Sequence, residues 1–347
     1  MSCCWSKKLF GRRSKREDCY KVQETEEAKE GIRGPPEGGE QIPQYSWDRR
    51  EKIDPAEFTV QGLHGQTLKK EGKEGGPLQI ENCTDSTILF LHRTSQVIID
   101  ECRHCTIILG PSAGSVFVRD SSNCTILLSC QQLRTRDCTS VRIGILCPTE
   151  PIVENSNDVF FHHLALFYPE LKEQMYAAGL RPFTNRIVSA HDFTPAGSDG
   201  KKNFKVFVEP VTLSNEQESL LSDNDVSLLS HPDEFIPRFS DVSDNDPTFV
   251  FVLGKAEPAD ELGDKANELL RAVYSAEMNV QATYDVATKD IDAKMIPFAG
   301  KAERMILLQL SGNLAQLETD VEFDLISEND MEPLQKLLIH LNGKKSG

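Results

Sequence analysis

One short motif returns at a near-constant interval through the first half of the chain, and that interval limits the fold more than any other feature. Ile80-Glu81-Asn82-Cys83 comes back as Asp100-Glu101-Cys102, Arg119-Asp120-Ser121, Arg136-Asp137-Cys138 and Glu154-Asn155-Ser156. The final residues of these stretches (83, 102, 121, 138 and 156) lie 19, 19, 17 and 18 positions apart. A second track follows three residues behind, as Ser86, Cys105 and Cys124. Each of these leads into a β-branched run: Thr87-Ile88-Leu89-Phe90, Thr106-Ile107-Ile108-Leu109 and Thr125-Ile126-Leu127-Leu128. Short strands at a fixed period cannot each bury their own apolar face, so neighbouring repeats must stack to form a core. The repeat predicts a parallel (right-handed) β-helix from about 77 to 168. A left-handed, acyltransferase-type solenoid would instead repeat every six residues.

The chain has 347 residues, enough for two domains plus tails. Its formal charge of -16 excludes a general nucleic-acid binder, because a phosphate backbone attracts the opposite sign. No apolar run approaches the roughly 20 residues that span a bilayer, and the start lacks a signal peptide's apolar region. The expected setting is therefore cytoplasmic. Cys102 and Cys105 form a lone CxxC, but they sit on two different tracks, where other coils carry Cys83/Ser86 and Ser121/Cys124. They read as small buried core residues rather than as ligands, and no metal is expected.

Four regions follow from composition. Residues 1–43 hold Gly, Pro, Glu and Lys in bulk and read as a disordered tail. Within it, Lys7, Lys8, Arg12, Arg13, Lys15 and Arg16 form a basic run beside Cys3, Cys4, Trp5, Leu9 and Phe10. A basic cluster next to acylatable cysteines is the make-up of a peripheral membrane anchor. A solvated basic tail or a nuclear-localisation patch fits the same composition. Ser2 stands where N-myristoyl transfer needs glycine, so anchoring would rest on palmitoylation of Cys3 or Cys4 plus the basic run. Residues 44–195 form the solenoid domain, with Trp47 and Phe58 expected to cover its first coil. A helix is expected from Pro169-Glu170-Leu171 to Gly179, with Leu171, Met175 and Ala178 facing the solenoid. Residues 196–247, rich in Ser, Asp, Asn and Glu, read as an acidic linker with one or two short strands near 204–208. Residues 248–347 show strands at Thr248–Leu253, 280–286 and 305–310 and helices at 259–275 and 332–341, the order of a small ferredoxin-like α+β domain.

The most charged string of the repeat is Gln131-Gln132-Leu133-Arg134-Thr135-Arg136-Asp137-Cys138. In an extended segment alternate side chains share a face, so Gln132, Arg134 and Arg136 point outward if Leu133 enters the core. Arginine keeps its charge and carries a rigid donor fork that fits phosphate oxygens. Arg134 on a stiff sheet is thus a candidate arginine finger for phosphoryl transfer. The structural alternative is an arginine paired with a carboxylate of a neighbouring coil such as Asp120, which suits Arg136 better.

That string, with Gly110-Pro111 and Gly114-Ser115-Val116-Phe117 upstream, resembles the tubulin-cofactor-C homology domain. Gln44-Tyr45-Ser46-Trp47-Asp48, Tyr168-Pro169-Glu170-Leu171 and His191-Asp192-Phe193-Thr194-Pro195 are similar to one branch of it, the X-linked retinitis pigmentosa protein family. The likeness covers about 44–195. It is weaker over the C-terminal region, which in that family resembles a nucleoside diphosphate kinase. The resemblance implies a β-helix that activates GTP hydrolysis by an Arf-like small GTPase, supplying an arginine in trans. Arg134 matches the catalytic arginine and Gln132 its neighbour. Partner contacts are implied at Gln131, Arg136, Glu154 and Phe193. No cofactor of its own is implied, since GTP and Mg are held by the GTPase. The implied setting is peripheral, at the plasma membrane or ciliary base, in the traffic of lipidated proteins to cilia. A phosphohistidine mechanism needs an imidazole in a nucleotide pocket. The only histidine after His231 is His340, in the last helix, so no kinase activity is expected. A non-catalytic effector or scaffold and a tubulin-folding cofactor are the rival readings.

Overall fold

In the computed structural model the motif that repeats in the sequence is a pair of corners. The structure describes residues 55–194, 202–228, 235–240, 248–254, 261–299 and 302–341. Asn82, Glu101, Asp120, Asp137 and Asn155 all have positive φ, between 44° and 54°. So do the residues three further on, Asp85, His104, Asn123, Ser140 and Asp158, between 50° and 55°. This left-handed conformation is unfavourable for most L-residues but tolerated by Asn and Asp, whose side chains bond locally. Between the two corners lies one buried small residue per coil: Cys83, Cys102, Ser121, Cys138 and Ser156. Each donates its thiol or hydroxyl to the carbonyl two residues earlier, as Cys102 does to Asp100 at 3.3 Å and Ser156 to Glu154 at 2.8 Å. The position thus calls for a small side chain with one donor, which Cys and Ser both satisfy. Burial pushes the Cys83 and Cys138 thiols up from their ordinary pKa, as expected of core residues.

Two parallel sheets run along the solenoid. The first contains Gly76–Glu81, Thr94–Asp100, Ser112–Arg119, Ile152–Glu154 and His191–Asp192. The second contains Thr87–Phe90, Thr106–Leu109, Thr139–Leu146, Asn157–His163 and Phe204–Phe207. Isolated bridges at Thr84, Arg103, Ser122 and Thr139 form a short third side. Inward residues of both sheets, among them Ile80, Ile99, Val118, Leu133, Ile126 and Ile143, make one buried column. Phe58 packs on Gly76 at the start of the solenoid, as expected; Trp47 lies outside the described residues.

One strand belongs to both sheets. Thr125–Arg136 runs for 12 residues, pairing in the second sheet through its first half and in the first sheet through its second half. The preceding coil breaks at the same place, between Thr106–Leu109 and Ser112–Arg119. The register slips there, from Ser112↔Cys130 to Ser115↔Gln132, so the preceding strand bulges where this one is straight.

The second sheet is covered on its outside. Leu89, Ile108, Leu127 and Leu146 meet Leu171 and Met175 of the helix Leu171–Ala177, together with Val211, Leu221, Val226 and Phe235. This explains runs such as Thr106–Leu109, buried at every position, since a parallel strand with both faces covered has no polar side. It also takes in part of 196–247, where the short strand expected near 204–208 is present and the chain around it is docked rather than a plain acidic linker. Phe204–Phe207 adds a rung to the second sheet. Ser214 and Gln217 form a capping box that starts the helix Asn215–Ser222, and Gln217 reaches Thr106 at 2.6 Å. Composition suggested solvation here, but a few well-spaced apolar residues suffice to dock the segment. The acidic run 241–247 lies outside the described residues.

The C-terminal sheet has four antiparallel strands in the order Asn279–Ala287, Arg304–Ser311, Thr248–Leu253, Asp324–Leu325. The helix Leu262–Ser275 crosses from Thr248–Leu253 to Asn279–Ala287, and Arg304–Ser311 lies between these two strands, a split βαβ unit. The ferredoxin-like expectation holds in strand order. It departs in one respect: Leu314–Gln316 is only a 3-10 turn, and the last helix, Met331–Leu341, follows the fourth strand. The chain after Leu171–Ala177 is built into this sheet's core. Phe183 is fully buried among Phe251, Leu269 and Leu308. Asp285, fully buried, takes two hydrogen bonds from Arg304 at 2.7 and 2.5 Å and an ion pair from Arg181 at 3.5 Å.

Candidate functional site

The outer face of the first sheet differs from that of the second. It carries exposed Gln132, Arg136 and Phe193 beside half-buried Ile98, Phe117 and Ile152, and no core cluster of described residues forms over it. Its strands are in register, so outward residues line up across coils. One row reads Gln79, Ile98, Phe117, Arg134, Ile152, His191; the next reads Glu81, Asp100, Arg119, Arg136, Glu154.

Arg134 sits in the first row with Leu133 and Thr135 fully buried on either side, which fixes its backbone. Its side chain is 41% exposed and passes near the Phe117 ring, with the guanidinium carbon 6.0 Å from the ring centroid. Its Nε lies 3.5 Å from Glu154 Oε1, an ion pair without a hydrogen bond. An exposed pair of this kind contributes about 0.2–1 kcal/mol. Gln132 stands in the adjacent row, where its Oε1 accepts from Ser115 Oγ at 3.3 Å.

The neighbouring charges pair differently from the sequence reading. Arg136 does not pair with Asp120; its Nε lies 3.3 Å from Asp137, while Arg119 pairs with Asp100 at 2.5 Å. The carboxylate two coils before Arg136 is already taken, and Asp120 occupies a left-handed corner rather than the sheet face. Of the two arginines in the charged string, Arg134 is the one that meets a neighbouring-coil carboxylate, Glu154. Gln131 is turned away from this face. Its Nε2 donates to Ala178 O at 3.0 Å and Gly179 O at 3.1 Å, tying the strand to the end of Leu171–Ala177.

Phe193 ends the site. Its backbone N donates to Val153 O at 2.8 Å, and its ring is 61% exposed and 4.3 Å from His191. Asp192 anchors this turn, accepting from Thr194 N at 2.8 Å and Asn203 Nδ2 at 2.9 Å. Partial burial alone would raise the Asp192 pKa, but these hydrogen bonds outweigh it and hold the carboxyl below its ordinary range. The structure thus brings together Gln132, Arg134, Arg136, Glu154 and Phe193 and sends Gln131 elsewhere. Phe117 and Ser115 join them from the preceding coil, and the signal for this in the sequence is their period-2 phase against Arg134 and Gln132. Cys3 and Cys4 lie outside the described residues.

Comparison with known proteins places the sequence in a family. The model of Tubulin binding cofactor C fits residues 75–193, which hold most of the solenoid and every outward residue named above. Protein XRP2 of Xenopus laevis is 34% identical over 93% of this chain and 87% of its own length. The chain belongs to the XRP2 family. The mouse Protein XRP2 is 34% identical over 81% of this chain and 82% of its own. The human one is 44% identical over 52% of each chain. Among solved structures, Tubulin Binding Cofactor C from Leishmania major shares 22% identity over 43% of this chain and 90% of its own, with a TM-score of 0.29.

Proposed function

We propose that the protein is a GTPase-activating protein for an Arf-like small GTPase, to which Arg134 is supplied in trans as an arginine finger. The observation that carries the reading is the setting of Arg134: a half-exposed arginine on a strand locked by two buried neighbours, on a sheet face over which no core forms among the described residues. The tubulin-cofactor-C match and the XRP2 relatives support it. The transferring phosphoryl group of GTP develops charge that a small GTPase alone neutralises poorly. A trans arginine accelerates that step by about 10³–10⁵, which corresponds to roughly 4–7 kcal/mol. Releasing Arg134 from Glu154 costs at most about 1 kcal/mol by comparison, so the ion pair holds the finger without withholding it. Gln132 would act beside it. Arg136, Glu154 and Phe193 would make the docking contacts, with Phe193 as the apolar anchor.

The same reading places the protein on membranes near the plasma membrane or ciliary base, through acylation at Cys3 or Cys4 and the basic run, in the traffic of lipidated cargo. GTP and Mg would stay with the partner. A pure effector is the rival that an observation favours, since Arg134 already has a carboxylate partner. Single-turnover GTP hydrolysis with a panel of Arf-like GTPases separates the two. Stimulation of one member by about a thousandfold or more, lost in Arg134→Ala, is the expected result. Binding without stimulation would leave an effector.

A further inference from the structure

We propose that the coil preceding the arginine positions the finger: Phe117 is the platform that aims Arg134, and Ser115 does the same for Gln132. This deepens the function proposed above and rests on it for its kinetic part. Three observations carry it. The register places Phe117 directly opposite Arg134 and Ser115 directly opposite Gln132. The guanidinium carbon lies 6.0 Å from the Phe117 ring centroid, and Ser115 Oγ donates to Gln132 Oε1 at 3.3 Å. Phe117 also points out of the solenoid, between the buried residues Val116 and Val118, so its ring is not needed for the inner column.

The physical case turns on what happens to Glu154. In the free protein Arg134 has two neighbours, a carboxylate on the following coil and an aromatic ring on the preceding one. A developing phosphate charge competes with the carboxylate and draws the guanidinium from it. It does not compete with the ring, whose face attracts the cation and is indifferent to what the donors bind. The ring therefore keeps Arg134 aimed at the moment when Glu154 lets go. A finger swinging freely at that point would lose the pre-organisation on which such catalysis depends. Phe117 and Ser115 are positioning residues, since neither touches the reacting atoms.

Phe117→Leu keeps an apolar side chain and removes the ring; Phe117→Tyr keeps the ring. Two measurements are made on the full chain. The first is the maximal rate of stimulated GTP hydrolysis and the protein concentration that gives half of it. Phe117→Leu is expected to lower the maximal rate about two- to fivefold with the half-saturating concentration unchanged, and Phe117→Tyr to restore it. A raised half-saturating concentration at unchanged maximal rate would make Phe117 a docking contact and overturn the proposal. Equal defects in Leu and Tyr variants would reduce it to a packing residue. The second measurement needs no GTPase: the Arg134 Nε–H resonance by NMR, assigned with Arg134→Lys. It should shift and broaden in Phe117→Leu and return in Phe117→Tyr. An indifferent resonance refutes the platform whatever the kinetics show. Failure of the wild type to stimulate any GTPase, with the resonance behaving as expected, refutes the proposed function and leaves the platform standing.

Discussion

Replacing Asp285 by Asn tests whether a buried charge pair holds two strands of the C-terminal sheet together. Asp285 is fully buried, Arg304 is 12% exposed, and Arg181 is 47% exposed. The Arg304 contact is a two-point hydrogen-bonded pair at 2.7 and 2.5 Å, and Asp285 raises the arginine pKa above its already high value. Arg181 only approaches to 3.5 Å. Removing one partner of a buried pair leaves an uncompensated charge and costs about 3–5 kcal/mol. The half-exposed Arg181 is screened by water and contributes about 0–1 kcal/mol. The expected order of destabilisation is Asp285→Asn close to Arg304→Met, both well above Arg181→Met. Urea unfolding at fixed slope gives these differences as midpoint shifts. In the double variant Asp285→Asn/Arg304→Met the two losses should fall far short of additivity, because the second change removes the charge that the first left stranded. A loss below about 1 kcal/mol for Asp285→Asn, or equal losses for the two arginines, would refute the assignment.

Three further outcomes are expected. Burial, then the neighbouring charge of His162, hold His163 down at about 4 from its ordinary 6.5. The unfolded chain takes up that proton first, so the contribution is complete above about pH 6.5 and is lost as pH falls to about 4. The total is about 3 kcal/mol, and His163→Phe should flatten it in denaturation midpoints measured from pH 4 to 8. Gln131→Ala should lower stability by about 1–2 kcal/mol in thermal unfolding while leaving GTPase binding intact. Weakened binding at unchanged stability would restore Gln131 to the docking face. Gly110→Ala puts a methyl group 2.5 Å from the backbone oxygen of His92, which cannot swing aside, and should destabilise by about 1–3 kcal/mol in the same assay.

The solenoid was legible in the sequence because its period is a backbone property. Every coil needs two left-handed corners with a small donor between them, and Asn82, Asp120 and Asp137 advertise the corners in plain residue types. The alternation around Leu133 was equally readable, since a buried Leu flanked by Gln and Arg fixes the phase. Pairing among charges was not. Arg134 meets Glu154, 20 positions away, and Arg136 meets Asp137, a choice set by coil length and side-chain reach rather than by spacing. The docking of 202–228, apart from its strand at Phe204–Phe207, escaped for a different reason. Its buried residues, Val211, Leu221 and Val226, are few and sit among acids, so composition outvoted them. Gln131 was misread because the bond that turns it inward depends on where a helix 47 residues later ends.

The uninterrupted strand Thr125–Arg136 fixes how stiffly the arginine is carried. Corner to corner, the coil from Asp120 to Asp137 is two residues shorter than the 19-residue coils before it (137 minus 120 is 17). The residues it lacks correspond to the break at Gly110-Pro111 and the bulge in the strand that follows. Trimming a joint stiffens a lever. This shorter coil has no break at the third corner, so one continuous strand joins the arginine directly to the sheet buried under the helix and the docked segment. A chain with two residues inserted after Ser129 would keep every side chain named here and have room for a joint like that of the preceding coil. The stiffness with which this solenoid carries the arginine is therefore open to adjustment at one bend, with no change to any chemical group named here.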